Sequence, residues 1–181
     1  MLKPKLHSLG IIAIFCMSLA IISIVQLSNN LKIFIDRCID LNRFSQIEKK
    51  DKKLHKEYNI PFDTPLIGNI AAIAPHKDYF TFINTAETLV KKKYNLKFII
   101  IGTGPMEEEI KNYCNQKKLN EHIIFTGFRT DIEEILPELD IFLITSKTEG
   151  LGTSIIDAFA CKVPVVATRA GGIPEIVKHE K

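Results

Sequence analysis

The chain has 181 residues, enough for one well-packed domain and too few for two complete ones. Hydrophobic residues make up 46% and charged residues 25% of the sequence, a balance that excludes an intrinsically disordered chain. The net charge is only +3, yet residues 1–60 carry ten Lys and Arg against five Asp and Glu, so the basic excess is confined to the first third.

Residues 1–38 contain an apolar segment that permits two interpretations. Residues 9–27 are almost wholly apolar and follow Lys3 and Lys5. A helix of that length is long enough to cross a hydrocarbon core, with its N-terminus in the cytoplasm. The same region also divides into a strand, a helix and a second strand at 31–35, a β-α-β unit that suits a parallel sheet. Periodicity alone does not choose between a membrane anchor and the remnant of a preceding domain.

Residues 39–60 are polar and charged, and are predicted to form a linker with a short basic helix. The lysines near its end form either a solvated helix face or a surface for acidic lipid. Nucleic acid is not an expected partner, because no aromatic residues interleave the lysines as a base-stacking groove would require. The folded domain is expected to span 61–181.

Cysteine and histidine positions indicate a reduced, cytoplasmic protein without a metal site. The four cysteines have no C-x-x-C spacing and no companion histidines at metal-ligand intervals, and the five histidines are expected at the surface or in turns.

From residue 61 onward, short apolar runs alternate with segments of helical spacing. The clearest such segment is 78–94, whose apolar residues fall on one face and which closes with three lysines. This alternation predicts an α/β fold with a doubly wound, mostly parallel Rossmann-like sheet. The predicted strands are Leu66–Ile70, Lys97–Ile101, His122–Phe125, Asp140–Ile144 and Pro164–Ala167.

In such a sheet, ligands bind where the loops leave the carboxyl ends of the strands. The segment 149–157 follows the fourth run and combines two glycines with two hydroxyls and two carboxylates. Thr153 and Ser154 suit the start of a helix, where free N–H groups and the positive dipole end would bind a diphosphate. Glu149 and Asp157 would then accept hydrogen bonds from sugar and ribose hydroxyls. Alternatively, Glu149 is only a loop charge and Asp157 faces solvent.

The block Ser146–Val177 closely resembles the donor-site signature of glycosyltransferase family 4, whose members have the two-domain GT-B fold. The resemblance covers about residues 31–178. It implies that residues 61–181 form the C-terminal, donor-binding half of that fold. Further matches occur at Ile39–Phe44, Pro75–Asp78, Gly102–Pro105 and Phe125–Phe128.

The resemblance implies a retaining glycosyltransferase of hexosyltransferase type that acts in polysaccharide biosynthesis. Its donor would be a UDP- or GDP-linked sugar, and its acceptor a glycan or a lipid-linked molecule at the cytoplasmic face of the membrane. Neither a cofactor nor a metal is implied. Glu149 would contact the donor sugar, Lys77 would neutralise the donor phosphates, and Asp157 would hold the ribose. Other donor contacts are implied at Gly102, Gly104, Gly127, Phe128, Gly152, Thr153 and Ser154, with Gly127 and Phe128 near the base and the last three at the distal phosphate.

The chain departs from the family pattern in two residues and in length. Asp157 replaces a glutamate, which shortens the side chain by one methylene, and Ala71 stands where many relatives carry a phosphate-binding arginine. Because only about 35 residues precede the linker, the chain is expected to be a truncated gene copy or a partial sequence.

Two alternative functions remain at this point. One is an inactive truncated remnant that binds nucleotide only. The other is a dinucleotide-dependent oxidoreductase, suggested by Gly102-x-Gly104 after a strand, although Glu107 occupies the third glycine position of that motif.

Overall fold

A computed structural model describes residues 51–150 and 152–178. The expectations for residues 1–50, including the anchor or β-α-β unit at 9–35, lie outside this part. Short 3-10 turns occur at Pro75–Lys77 and Leu136–Glu138. The other elements, in chain order, are α1 (Lys53–Glu57), β1 (Leu66–Ile70), α2 (Tyr79–Lys91), β2 (Lys97–Ile101), α3 (Glu107–Gln116), β3 (Ile123–Gly127), α4 (Ile132–Ile135), β4 (Ile141–Ile144), α5 (Thr153–Ala160), β5 (Val165–Ala167) and α6 (Ile173–Ile176).

The five strands form one parallel sheet in the order β3-β2-β1-β4-β5. Each predicted run contributes a strand, and only β3 continues past its run, to Gly127. The predicted α/β fold class is therefore confirmed. These runs were recognisable because a parallel strand buried on both faces is apolar along its whole length.

Alternate residues of the strands pack on opposite faces of the sheet. In β2, Ile99 and Ile101 join the cluster that includes α1, α4, α5 and α6, whereas Phe98 and Ile100 join the cluster formed with α2 and α3. All four side chains are 0–1% exposed. Since each fully buried side chain of this size contributes roughly 1.5–3 kcal/mol, the two covered faces supply most of the stability of the domain.

Helix α1 lies within the segment that the sequence analysis assigns to the linker, and it packs against α4 and the following turn. The backbone N–H groups of Lys53 and Leu54 donate to the carboxylate of Glu138, at 2.9 Å for Leu54. Leu54 is fully buried. His55 is only 3% exposed and its Nε2 lies 3.0 Å from the carbonyl oxygen of Thr64, so the expectation of a surface or turn histidine is wrong there.

Two negative findings apply to the described residues alone. None of their helices combines the length and the apolar character needed to cross a membrane. The same residues contain no group of three or more His, Cys, Asp or Glu able to hold a metal ion.

The strand order creates a crevice between β1 and β4. From β1 the chain proceeds outward through β2 and β3, then returns to the other side of β1 to form β4 and β5. The loops that follow β1 and β4 therefore lead in opposite directions from adjacent strands. Ligands of open α/β sheets bind at such a reversal.

Candidate functional site

The loops after β1 and β4 are fastened to each other at this crevice. The Thr145 hydroxyl lies 3.1 Å from each of the carbonyl oxygens of Lys77 and Asp78. The backbone N–H of Lys147 donates to the carbonyl oxygen of His76 at 2.8 Å. Thr145 is only 4% exposed, so these bonds form away from bulk water. Together they fix the backbone that carries Lys77.

Lys77 and Glu149 form an ion pair across the crevice. The distance from Lys77 Nζ to Glu149 Oε2 is 2.6 Å, and the two side chains are 15% and 13% exposed. The Ser146 hydroxyl donates to the same carboxylate oxygen at 3.0 Å. Burial raises the pKa of Glu149, but the hydrogen bonds from Lys77 and Ser146 outweigh it, and the net pKa is below the ordinary value. Glu149 is therefore a carboxylate at neutral pH, suited to accept hydrogen bonds.

Helix α5 begins beside Glu149, because a β-carbon at Gly152, the residue before the helix, would lie 3.6 Å from Glu149 Cγ. Gly152 precedes it in the left-handed conformation, with φ +59° and ψ +49°, which glycine adopts without steric cost. The first turn contains Thr153 and Ser154, carries no acidic residue, and has no side-chain cap among the described residues. Its N–H groups and the positive end of the helix dipole can therefore receive an anion. Asp157 lies one turn further along α5 and is half-buried.

Two glycines after β5 hold the backbone of Glu149. The N–H of Gly172 donates to the Glu149 carbonyl oxygen at 3.0 Å. Gly171 has φ +52°, and a β-carbon there would lie 2.8 Å from the Glu149 nitrogen and closer still to its carbonyl oxygen. A β-carbon at Gly172 would overlap the carbonyl oxygen of Gly150. Both glycines lie in the signature block Ser146–Val177, but no role was predicted for them; the Gly-Gly pair after a strand was the available signal.

On the other side of β1, Gly102 and Gly104 pack closely against the loop that follows β1. A β-carbon at Gly102 would overlap the carbonyl group of Ala71, and one at Gly104 would lie 2.7 Å from the Ile73 nitrogen. Gly102 also donates its N–H to the carbonyl oxygen of Gly127 at 2.9 Å. These contacts show that both glycines allow neighbouring loops to approach each other.

Gly127 and Phe128 lie at the end of β3, two strands away from β1. Gly127 has φ +73°, and the Phe128 ring is 75% exposed. The structure therefore brings Lys77, Glu149 and the start of α5 together, and places Phe128 further along the same edge of the sheet.

The glycine loop after β2 lacks the electrostatics of a dinucleotide site. Helix α3, which follows it, has Glu107, Glu108 and Glu109 in its first turn. Three carboxylates at a helix N-terminus oppose the binding of a pyrophosphate there.

Residues 50–181 match the family model described as Glycosyl transferases group 1. The chain belongs to this family. A GDP-mannose-dependent alpha-(1-6)-phosphatidylinositol monomannoside mannosyltransferase of Mycobacterium tuberculosis is 27% identical over 154 residues, which cover 79% of this chain and 39% of that protein. Family membership agrees with the resemblance of Ser146–Val177 to the family 4 donor-site signature.

Two solved structures of glycosyltransferases share the fold of the described domain. Anabaena HepE in complex with UDP and glucose matches with a TM-score of 0.68 and 25% identity, covering 78% of this chain and 39% of HepE. The C-terminal domain of LpcC, a group 1 family glycosyl transferase of Francisella tularensis, matches with a TM-score of 0.66 and 28% identity, covering 78% and 75%. The described domain thus has the fold of the C-terminal GT-B domain. The chain spans well under half the length of the curated relatives it matches.

Proposed function

We propose that the domain binds a nucleotide-sugar donor and that the protein transfers the sugar, with retention of configuration, to a glycan or lipid-linked acceptor. One observation carries the proposal: the ammonium group of Lys77 and the carboxylate of Glu149 meet 2.6 Å apart beside the start of α5. A cation and a helix N-terminus are suited to a diphosphate, and a carboxylate is suited to sugar hydroxyls. The three groups match the two ends of a nucleotide sugar.

In this proposal the catalytic contribution is electrostatic. Cleavage of the donor's glycosidic bond leaves negative charge on the diphosphate. Lys77 and the N–H groups of Thr153 and Ser154 would stabilise that charge without forming a covalent bond to the protein. Glu149 would hold the sugar through its hydroxyls, and Asp157 would accept hydrogen bonds from the ribose.

The edge of the sheet beyond β1 suits the nucleoside. Two strand spacings separate β1 from β3, about 10 Å in total, a distance that the ribose and base can span from a diphosphate at Lys77. The exposed ring of Phe128 offers a stacking surface for the base, and the N–H and carbonyl groups near Gly127 offer hydrogen bonds.

The relatives support a nucleotide-sugar donor and leave its base open. HepE is a complex with UDP and glucose, and the mycobacterial relative is GDP-mannose-dependent. Our proposal for this chain therefore includes UDP- and GDP-linked sugars.

Calorimetric titration of the full 181-residue chain with UDP-glucose and GDP-mannose tests the proposal. At least one donor is expected to bind, and Lys77→Ala is expected to weaken it by roughly tenfold to a hundredfold, the loss of one charge-assisted hydrogen bond of about 1.5–3 kcal/mol. The matched control is Lys91→Ala on α2, a lysine that is 71% exposed and pairs only with Glu87 among the described side chains. Its donor affinity should equal that of the wild type.

Two binding results would contradict the proposed donor site, and a third result would contradict the transferase activity. Donor binding that survives Lys77→Ala unchanged would place the diphosphate elsewhere, and binding of NAD in preference to both donors would favour the oxidoreductase. Transfer and donor hydrolysis are measured separately on the same samples. If a donor binds but neither reaction is detected, the chain is a nucleotide-binding remnant and the transferase part of the proposal fails.

A further inference from the structure

We propose that Glu149 competes with the donor's diphosphate for Lys77, so that the site discriminates against a nucleoside diphosphate that carries no sugar. The inference rests on the proposed function, because it assumes that the diphosphate binds at Lys77. It goes further by giving Glu149 a second role, that of an internal anion which favours departure of the nucleoside diphosphate after transfer.

The Lys77 end of the pair is held in place. Thr145 bonds to the carbonyl oxygens of Lys77 and Asp78, and the neighbouring N–H of Lys147 bonds to His76. Lys77 therefore begins from a fixed backbone position, and its ammonium group reaches Glu149 with 15% of the side chain exposed. The contact is unlike a pair between two mobile surface side chains, which contributes little.

The Glu149 end is held as firmly. Ser146, itself 1% exposed, donates to the same oxygen that Lys77 contacts. The backbone of Glu149 is bonded by the N–H of Gly172 and packs against Gly171 with no room for a β-carbon. The carboxylate consequently cannot leave Lys77 by a shift of its own loop.

A diphosphate that approaches Lys77 must therefore share this cation with Glu149 or displace it. Either arrangement brings two anionic groups together in a partly buried crevice, where charges are weakly screened. A donor offsets this cost because its sugar hydroxyls donate hydrogen bonds to the Glu149 carboxylate. A nucleoside diphosphate has no such hydroxyls at that end, so it bears the full competition.

The variant Glu149→Gln tests the inference, since it removes the charge and keeps an oxygen that accepts hydrogen bonds. Calorimetric titration of the full chain compares UDP with UDP-glucose, or GDP with GDP-mannose if those are the species that bind. The free diphosphate is expected to bind roughly threefold to tenfold more tightly to Glu149→Gln than to the wild type, in the range of one modest charge interaction. The affinity for the nucleotide sugar should not rise.

Two further variants test whether competition for Lys77 causes the gain in affinity for the free diphosphate. Asp78→Asn removes the carboxylate of the residue that follows Lys77 in the sequence, which accepts from Thr81 and lies 3.5 Å from Lys147. Residue 78 has φ +48°, a conformation that asparagine tolerates. It should leave the affinity for the free diphosphate unchanged. In a Lys77→Ala background, Glu149→Gln should increase that affinity less than it does when Lys77 is present, because the contested cation is gone.

The outcomes separate this inference from the proposed function. If neither the wild type nor Glu149→Gln binds any nucleotide, the proposed function fails and the inference fails with it. If both bind but the free diphosphate gains nothing from Glu149→Gln, the inference alone is overturned. It is also overturned if Asp78→Asn gives an equal gain, or if the gain is undiminished without Lys77, since general charge repulsion would then suffice. Should Glu149→Gln not fold, the wild type alone tests the inference, because UDP-glucose must then bind more tightly than UDP, or GDP-mannose more tightly than GDP.

Discussion

Substitution of Gly171 by alanine should disrupt the site more than an ordinary glycine-to-alanine change. The new β-carbon would lie 2.8 Å from the Glu149 nitrogen and 3.0 Å from its carbonyl carbon, and would overlap the carbonyl oxygen. Relief to an ordinary carbon–oxygen separation of about 3.3 Å requires a backbone shift of about 1.3 Å. The left-handed backbone adds about 1–2 kcal/mol for alanine, and forced displacement of packed groups adds about 1–3 kcal/mol.

The matched control is Gly127→Ala. Gly127 also has a positive φ, +73°, but a β-carbon there would meet nothing within 4 Å, so only the conformational cost of about 1–2 kcal/mol applies. Urea unfolding of both variants measures the difference in the free energy of unfolding. Calorimetry then measures donor binding by Gly171→Ala, which should weaken because the displaced Glu149 carboxylate no longer accepts hydrogen bonds from the sugar hydroxyls. Equal destabilisation by the two substitutions, with the donor affinity of Gly171→Ala unchanged, would contradict this prediction.

Two further predictions concern polar contacts of the described domain. Hydrogen bonds from Arg129, at 2.8 and 2.7 Å, hold the pKa of Asp131 well below its usual range. Because the folded-state pKa is depressed, this stabilisation is present above the unfolded value near 4 and is lost as the pH falls through the folded value. Asp131→Asn should therefore lower the free energy of unfolding by about 1 kcal/mol at pH 7, and urea titrations should show the same deficit at pH 5 but a smaller one below pH 3. Tyr79→Phe should cost about 1–2 kcal/mol, because the Tyr79 hydroxyl donates to the buried Asn69 Oδ1 at 2.9 Å; thermal unfolding equal to the wild type would contradict it.

The positions of the five strands along the chain could be predicted from local sequence patterns. Runs such as 98–101 are apolar throughout, as expected for a strand that is buried on both faces of the sheet. The location of Lys77 and Glu149 at the same edge of the sheet could be predicted for a different reason: both follow strands, and the carboxyl ends of parallel strands meet at one edge. Their direct contact across 72 residues of sequence was not predicted.

The residues that the sequence did not reveal act through long-range backbone contacts. The Thr145 hydroxyl bonds to the carbonyl oxygen of Lys77. The Glu138 carboxylate accepts from the backbone N–H of Leu54 at the start of α1, although the two residues are 84 positions apart in the sequence. Neither contact has a local motif, because the partner atoms are backbone groups that every residue possesses. The position of His55 was misjudged for the same reason, since its burial depends on a distant part of the chain packing over α1.

The strand order also determines when the crevice can exist during synthesis of the chain. The two sides of the ion pair come from loops that leave adjacent strands, β1 and β4, although β2 and β3 are made in between. A nascent chain that ends after β3 holds Lys77 without its counter-charge and without α5. The proposed donor site can therefore form only after β4 has joined the open side of β1 and α5 has followed it. The pairing of β4 with β1 closes a loop of about 70 residues, at a modest entropic cost because that cost grows only logarithmically with loop length.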